Sequence, residues 1–359
     1  MAMNRGCKVC ICGGAGGIGQ PLALLMAMDS NVSELALLDL TVAAVPAEGV
    51  AADVSHLESC AKVTSFVMDP TSSEKPKDTL GACFEDSDLV LIPAGVPRKP
   101  GMNRSDLLNI NLNVAKDLVE ACARFCPNAI VALIVNPVNS IVPAMCEVYK
   151  CYGLDTSKIL GVTSLDGVRA NRFIHDYTGL PLGDIDVPVI GGHAGATILP
   201  LFSQDPVAAS LPLETLVGLD KRVQDAGTEV VKAKGGRGSA TLSMAFAAAK
   251  LSKAILNGLL GDESTPETSR TACTYLASTV TDLPFFASKV TFGPLGVEKI
   301  HPLGALTAYE EHRLVEAKKL LAGEIQDGIT AILPMLPAVS ALPVELKTLE
   351  KVMLPSSRL

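Results

Sequence analysis

The stretch that decides the fold is Lys8-Val9-Cys10-Ile11-Cys12-Gly13-Gly14-Ala15-Gly16-Gly17-Ile18-Gly19-Gln20-Pro21. Its first five residues form an apolar run that reads as a buried strand. Gly13, Gly16 and Gly19 then make Gly-x-x-Gly-x-x-Gly, and Pro21 falls where the first turn of a helix tolerates a missing N–H. Strand, glycine turn and helix in this order let the backbone turn sharply and approach a pyrophosphate. The helix N-terminus offers the anion free N–H groups and partial positive charge. A glycine pattern alone also fits a plain tight turn. What separates the two readings is Asp39, which ends the next apolar run twenty positions beyond Gly19. A carboxylate there accepts hydrogen bonds from an adenosine ribose diol. It repels a 2′-phosphate, and no arginine follows in "LDLTVAA", so the pattern favours NAD over NADP.

Outward from this stretch, apolar runs alternate with helical patterns. Strands are expected at residues 8–12, 35–40, 64–68, 89–93, 130–135 and 159–162. Leu107, Ile110, Val114, Leu118, Ala121, Cys122 and Phe125 repeat at helical spacing between two of them. Alternating strand and helix implies a right-handed, doubly wound parallel sheet. The second half differs. Residues 213–234, 239–260 and 307–329 read as helices, "CTYLAS" and "FFASKVTFGPLGVEKI" as antiparallel strands, and "DVPVIGGHAGATILPLF" as two strands around a glycine-rich turn. The fold class expected is α/β: an N-terminal Rossmann sheet over residues 1–163, a C-terminal α+β catalytic domain over 164–333, and a proline-punctuated tail over 334–359. Residues 69–78 read as a solvated loop.

Bulk composition narrows the function. The chain has 359 residues with formal net charge -8, 48% hydrophobic content, 4% aromatics and no tryptophan. An aliphatic core of this kind suits buried parallel strands. The acidic balance argues against nucleic acid or an anionic membrane as partner, and no basic stripe with interleaved aromatics exists. The ten cysteines lie in apolar surroundings without zinc-like spacing, which suggests reduced core thiols, no metal and an intracellular protein; a reactive thiol is the alternative. The apolar stretch "AIVALIVNPVNSIVPAMC" is broken by Asn136-Pro137 and Asn139, so it reads as strand, turn and helix instead of a membrane span.

Three further clusters carry chemistry. Among five histidines, His193 alone stands between glycine-containing pairs, "GGHAG", where the flanking glycines admit a close ligand and leave the imidazole exposed; its ordinary pKa suits proton exchange near neutrality. His56, His175, His301 and His312 are read as structural. Asp166 and Arg169 in "GVTSLDGVRAN" share one helix face. They read as a plain ion pair or as a carboxylate that orients His193 beside a guanidinium that forks a substrate carboxylate. The loop "GVPRKPGMNR", residues 95–104, gathers Arg98, Lys99 and Arg104 between proline and glycine punctuation.

Together "GGAGGIGQ", "GVPRKPGMNRSDLL", "VNPVNS", "GVTSLDGVRANRF", "VPVIGGHAG" and "GTEVVKAKGGRGSATLSMA" resemble the mitochondrial-type malate dehydrogenase branch of the lactate/malate dehydrogenase family, from about residue 7 to residue 329. The resemblance implies reversible hydride transfer between malate and NAD, giving oxaloacetate. It implies His193 as proton acceptor, Asp166 as its partner, and Arg169 on the 2-carboxylate. Arg104 would polarise the reacting carbonyl, and Arg98 would bind the distal carboxylate that lactate lacks. It further implies Asn136 on the substrate, and Gly13, Gly16, Gly19, Ile18, Asp39, Asn111, Val135 and Met244 around the cofactor. A homodimer is usual in this branch.

The chain departs from the pattern at Gly167, where the family has a larger apolar residue, and in residues 69–86. Ser357-Arg358-Leu359 matches the peroxisomal Ser-Lys-Leu address with arginine for lysine, so recognition by a peroxisomal import receptor and a peroxisomal or glycosomal location are expected, with the cytoplasm as alternative. Two rival functions are a 2-hydroxy-acid dehydrogenase of broader specificity and a non-catalytic NAD-binding protein.

Overall fold

The computed structural model describes residues 6–69, 77–96 and 104–336. Strands β1 (Cys7–Cys12), β2 (Val32–Leu40), β3 (Lys62–Met68), β4 (Leu89–Ile92), β5 (Ile130–Leu133) and β6 (Ile159–Gly161) pair in parallel in the order 3-2-1-4-5-6. Between them run helices α1 (Gly19–Ala27), α2 (Ala47–Val54), α3 (Lys77–Phe84), α4 (Arg104–Phe125) and α5 (Val138–Cys151). Every strand expected in this half is present, and so is the helix read from the 107–125 repeat. The loop expected at 69–78 falls largely outside the described residues, and α3 begins within it at Lys77.

The period-two alternation of each strand divides the core. Val9 and Ile11, with Leu35, Leu37, Leu89, Leu91, Ile130 and Ala132, face α1 and α2. Cys10 and Cys12, with Ala36, Leu38, Val90, Ile92, Val131 and Leu133, face α4 and α5. Both faces are apolar because both are covered, as in parallel sheets generally.

The second half continues the same sheet. It contains α6 (Ser164–Thr178), β7 (Val189–Gly191), β8 (Ile198–Pro200), α7 (Pro206–Ala209), α8 (Leu213–Ala233), α9 (Leu242–Leu260), β9 (Thr271–Ala277), β10 (Phe285–Gly293), β11 (Gly296–Ile300) and α10 (Ala308–Ile332). The strand β9 joins β6 antiparallel at Gly161 and Tyr275, and the Thr274 hydroxyl donates to the Gly161 carbonyl at 2.8 Å. Beyond it β10, β7 and β8 complete the row, with β11 hairpinned onto β10. The helix expected from residue 239 starts at Leu242, and a short helical turn at Leu333–Met335 follows α10.

Two contacts set α10 in place. A Cβ added to Gly328 would lie 1.9 Å from the Ser140 carbonyl oxygen, so only glycine lets α10 meet the backbone of α5. At its other end Arg313 donates to Asp220 of α8 and to the carbonyls of Ala196 and Ile198. Burial alone would lower the pKa of Arg313, but its bonds and charge pairing with Asp220 and Glu316 outweigh burial and raise it. A buried guanidinium paired in this way is held in one geometry. The C-terminal helix is therefore tied to the loop that carries His193.

Candidate active site

The C-terminal ends of β1, β4 and β5 open onto one crevice beside the switch point between β1 and β4. This is where doubly wound sheets bind ligands. Gly13 leaves β1 with φ +93, and an added Cβ there would meet the Ala94 backbone at 3.0 Å. Gly19 starts α1 so close to the turn that a Cβ would fall 2.0 Å from the Gly13 carbonyl. The turn and the strand–helix approach therefore need these glycines. Half-buried Asp39 closes the loop from β2. Its Oδ2 accepts the Ala15 N–H at 2.8 Å and its Oδ1 the Leu40 N–H at 2.8 Å, which leaves each oxygen further lone pairs for a diol. Gly17 borders Thr241 at the start of α9, the helix that carries buried Met244. Ile18, the residue capping α1, is half-buried. The glycine turn, the open helix end and the carboxylate beside it fit the adenosine and pyrophosphate portion of NAD.

Asn111 on α4 is 1% exposed and braces the crevice. Its Oδ1 accepts the Val96 N–H at 2.7 Å, and its Nδ2 donates to the carbonyls of Val96 and Asn136. Gly95 has no room for a side chain, since a Cβ would lie 2.6 Å from Val135. Val135 is buried and the Asn136 side chain is exposed at the mouth. Asn111 thus fixes the backbone that presents Asn136. Arg104 begins α4, and Arg98 lies outside the described residues.

Across the crevice, α6 carries Asp166 in its first turn, where a carboxylate is favoured by the helix dipole. Asp166 is fully buried, and its two oxygens serve different partners. Oδ2 accepts from His193 Nδ1 at 2.6 Å, and Oδ1 lies 3.4 Å from Arg169 Nη1. An ionised carboxylate only accepts, so Nδ1 carries the proton and His193 Nε2 is left as the proton acceptor. Arg169 retains further N–H donors for a second carboxylate. The structure thus brings Asp166, Arg169 and His193 together.

The expectation about the glycines is corrected. The His193 side chain is only 10% exposed, and the glycines before it seat protein atoms. A Cβ at Gly191 would lie 2.1 Å from the Thr197 carbonyl, and one at Gly192 would lie 2.7 Å from Asn139 Nδ2. Gly167 faces away from the reacting groups, onto a cleft of about 390 Å³ behind α6, with no atom nearer a Cβ than the Val187 carbonyl at 3.9 Å. It leaves the Asp166–Arg169 contact intact. Two of the remaining histidines do structural work: His175 Nδ1 bonds the Leu180 carbonyl and His301 Nε2 the Thr291 hydroxyl.

Sequence reasoning passed over Asn139. It is 1% exposed and its Oδ1 accepts the His193 N–H at 2.8 Å. The available signal was an amide in the largely apolar first half of α5, three residues after Asn136. All ten cysteines are free thiols and only Cys60 is exposed. Burial pushes Cys12 and Cys273 up to about 11. Among the described residues no group of three or more His, Cys, Asp or Glu is placed to hold a metal, and no helix is long and apolar enough to cross a membrane.

Residues 7–161 match the family described as lactate/malate dehydrogenase, NAD binding domain, and residues 163–332 match the lactate/malate dehydrogenase, alpha/beta C-terminal domain. The mitochondrial malate dehydrogenase of Citrullus lanatus is 51% identical over 323 residues, 90% of this chain and 88% of the relative. The glyoxysomal enzyme of Citrullus lanatus is 51% identical over 91% of this chain and 87% of its own length. Among solved structures, the apo malate dehydrogenase of Picrophilus torridus covers 92% of this chain and 100% of its own with TM-score 0.77 at 23% identity, a likeness of fold. That of Cryptosporidium parvum covers 91% of this chain and 100% of its own with TM-score 0.74 at 25% identity.

Proposed function

The chain belongs to the lactate/malate dehydrogenase family, and from that membership we propose that it is an NAD-dependent malate dehydrogenase. The observation that carries the reading is the His193–Asp166–Arg169 constellation, with its 2.6 Å imidazole–carboxylate bond, facing the crevice of a nucleotide-type sheet. When bound, NAD would supply the hydride acceptor, and the glycine turn with Asp39 would hold its adenosine end.

In malate oxidation His193 Nε2 takes the proton of the C2 hydroxyl, while Asp166 stabilises the imidazolium and keeps the ring oriented. In the reverse direction the same imidazolium and Arg104 stabilise the charge that grows on the carbonyl oxygen. Arg169 binds the 2-carboxylate, Asn136 hydrogen-bonds the substrate, and Arg98 takes the distal carboxylate. An arginine at each end of a dicarboxylate fixes the reacting carbon and makes the reaction effectively intramolecular. Pyruvate would leave Arg98 without a partner, which is the basis for discrimination against it. Residues 1–163 would hold the cofactor in this reading and 164–333 supply most reacting groups, while the tail expected at 334–359 lies largely outside the described residues.

The test is steady-state reduction of oxaloacetate and pyruvate with NADH and NADPH, for the wild type and Arg98→Gln. Truncating one partner of a desolvated charge pair costs about 2–5 kcal/mol, so Arg98→Gln should lower kcat/KM for oxaloacetate by at least about 30-fold and leave pyruvate unaffected. Equal wild-type efficiency with pyruvate would favour the broader 2-hydroxy-acid enzyme, and no turnover at all the non-catalytic alternative.

We infer a homodimer through α1 and α9, which pack together and each expose an apolar pair one turn apart, Leu24 with Met28 and Leu242 with Phe246. Light scattering coupled to size exclusion tests it. The glyoxysomal relatives support import into a peroxisome-type organelle through Ser357-Arg358-Leu359, which lie outside the described residues, while the mitochondrial ones support another compartment. Imaging with and without the tripeptide decides.

A further inference from the structure

His193 is gripped from two sides. Asp166 takes its ring; on the other side Asn139 takes its backbone N–H through Oδ1 at 2.8 Å. That second grip depends on which way the Asn139 amide points. Turned over, its NH₂ would face the His193 N–H, donor against donor.

Three neighbours touch the Asn139 side chain and backbone. Thr197 Oγ1 receives Nδ2 at 3.2 Å and donates its own hydrogen to the Ala194 carbonyl at 2.8 Å, so it supports the same orientation through a longer, neutral bond. Tyr275 donates its hydroxyl to the Asn139 carbonyl, which fixes the main chain only. Glu324, buried on α10, accepts Nδ2 at 2.5 Å. A carboxylate accepts and never donates when ionised, so its shorter, charge-assisted bond is the stronger of the two that set the polarity of the amide. The space is closed around this arrangement. A Cβ at Gly192 would lie 2.7 Å from Asn139 Nδ2, and Gly328, one turn beyond Glu324, locks α10 against Ser140 beside Asn139.

We propose that Glu324 is a positioning residue for the reaction, acting through Asn139 to hold the His193 backbone at the height that keeps its imidazole on Asp166 and its Nε2 toward the substrate. Glu324 touches no reacting atom. It makes a residue of α10, 131 positions after His193, part of the proton-transfer geometry. The inference rests on the malate dehydrogenase reading of the same site.

An isosteric exchange tests it on the full chain. In Asn139→Asp the new carboxylate still accepts the His193 N–H but meets Glu324 as a second acceptor. The double variant Asn139→Asp/Glu324→Gln restores one donor and one acceptor with the same atom count. Displacement of a reacting group by about 1 Å costs on the order of 100-fold, so Asn139→Asp should lower kcat for oxaloacetate reduction by about 10- to 100-fold. The KM for oxaloacetate and the NADH dissociation constant, measured by nicotinamide fluorescence, should stay within twofold. The double variant should recover at least tenfold in kcat. Glu324→Gln alone, whose amide presents either face, should fall between wild type and Asn139→Asp. The proposal is overturned if Asn139→Asp keeps kcat within twofold of wild type, or if the double variant is no faster than Asn139→Asp. A wild type without oxaloacetate reductase activity would overturn the underlying functional reading instead, and is distinguishable because it appears before any substitution.

Discussion

The same substitution at two positions of α10, five residues apart, should have opposite signs. Gly328 packs on α5 and Gly323 faces solvent. In Gly328→Ala the new Cβ would sit 1.9 Å from the Ser140 carbonyl oxygen and 2.6 Å from its carbon, where real Cβ contacts stay above 3.0 Å. Here α10 must retreat by roughly 1.1 Å, and the obstacle is backbone that cannot rotate away. Overpacking of this kind costs about 1–3 kcal/mol. Alanine returns about 1 kcal/mol through helix propensity, so the net effect is a loss of up to about 2 kcal/mol. In Gly323→Ala nothing lies within 4 Å of the added carbon, and only the propensity gain of about 0.5–1 kcal/mol remains. The two variants should differ by about 1–3 kcal/mol, or roughly 1–4 °C in melting temperature for a chain of this size. Scanning calorimetry of the ligand-free chain measures this directly. If both variants melt above the wild type, the close approach of α10 to α5 is wrong, and with it the setting of Glu324 beside Asn139.

Two other outcomes follow from the cofactor loop and the buried thiols. Asp39→Asn removes a charged acceptor worth about 1.5–3 kcal/mol, so the kcat/KM ratio of NADH over NADPH should drop by at least about tenfold; an unchanged ratio would remove Asp39 from cofactor selection. Burial raises Cys273 to about 11 from an ordinary 9.0, so its proton is held more tightly in the folded chain than in the unfolded one. Cys12 and other buried thiols shift the same way. Folding stability should therefore be full below pH 9 and fall as pH rises through about 11. Urea midpoints at pH 8 and 10.5 check the sign, and iodoacetamide at pH 8 should label exposed Cys60 first.

The parts of the site carried by local pattern were legible in the sequence. The run into Gly13, the carboxylate at Asp39 and the helical spacing of 107–125 each express a rule that acts over a few residues. Asp166 and Arg169 were legible as a pair because helix geometry fixes their relative position. Asn139 and Glu324 were not. Their contact spans 185 positions and joins the first turn of α5 to the middle of α10. Glu324 lies among Leu321, Ile325, Gly328 and Ile332 on the buried stripe of α10, and a carboxylate interrupting such a stripe was the signal. The glycines before His193 were noticed, but read toward a ligand. Only coordinates reveal that Thr197 and Asn139 fill that space. The joining of the two halves was equally hidden, since β6 and β9 meet through one short pairing at Gly161 and Tyr275.

That seam has a mechanical consequence. Among the described residues eleven strands form one sheet, so the half bearing the glycine loop and the half bearing His193 share a common elastic plate. Swinging one half from the other would tear the bond between Thr274 and Gly161 and wedge apart the buried side chains clustered around Tyr275. Such a plate keeps the spacing between its two working ends nearly constant through a turnover. Any movement that admits one ligand after the other then belongs to the connections at the strand ends, leaving the donor-to-acceptor distance to be set once, when the chain folds.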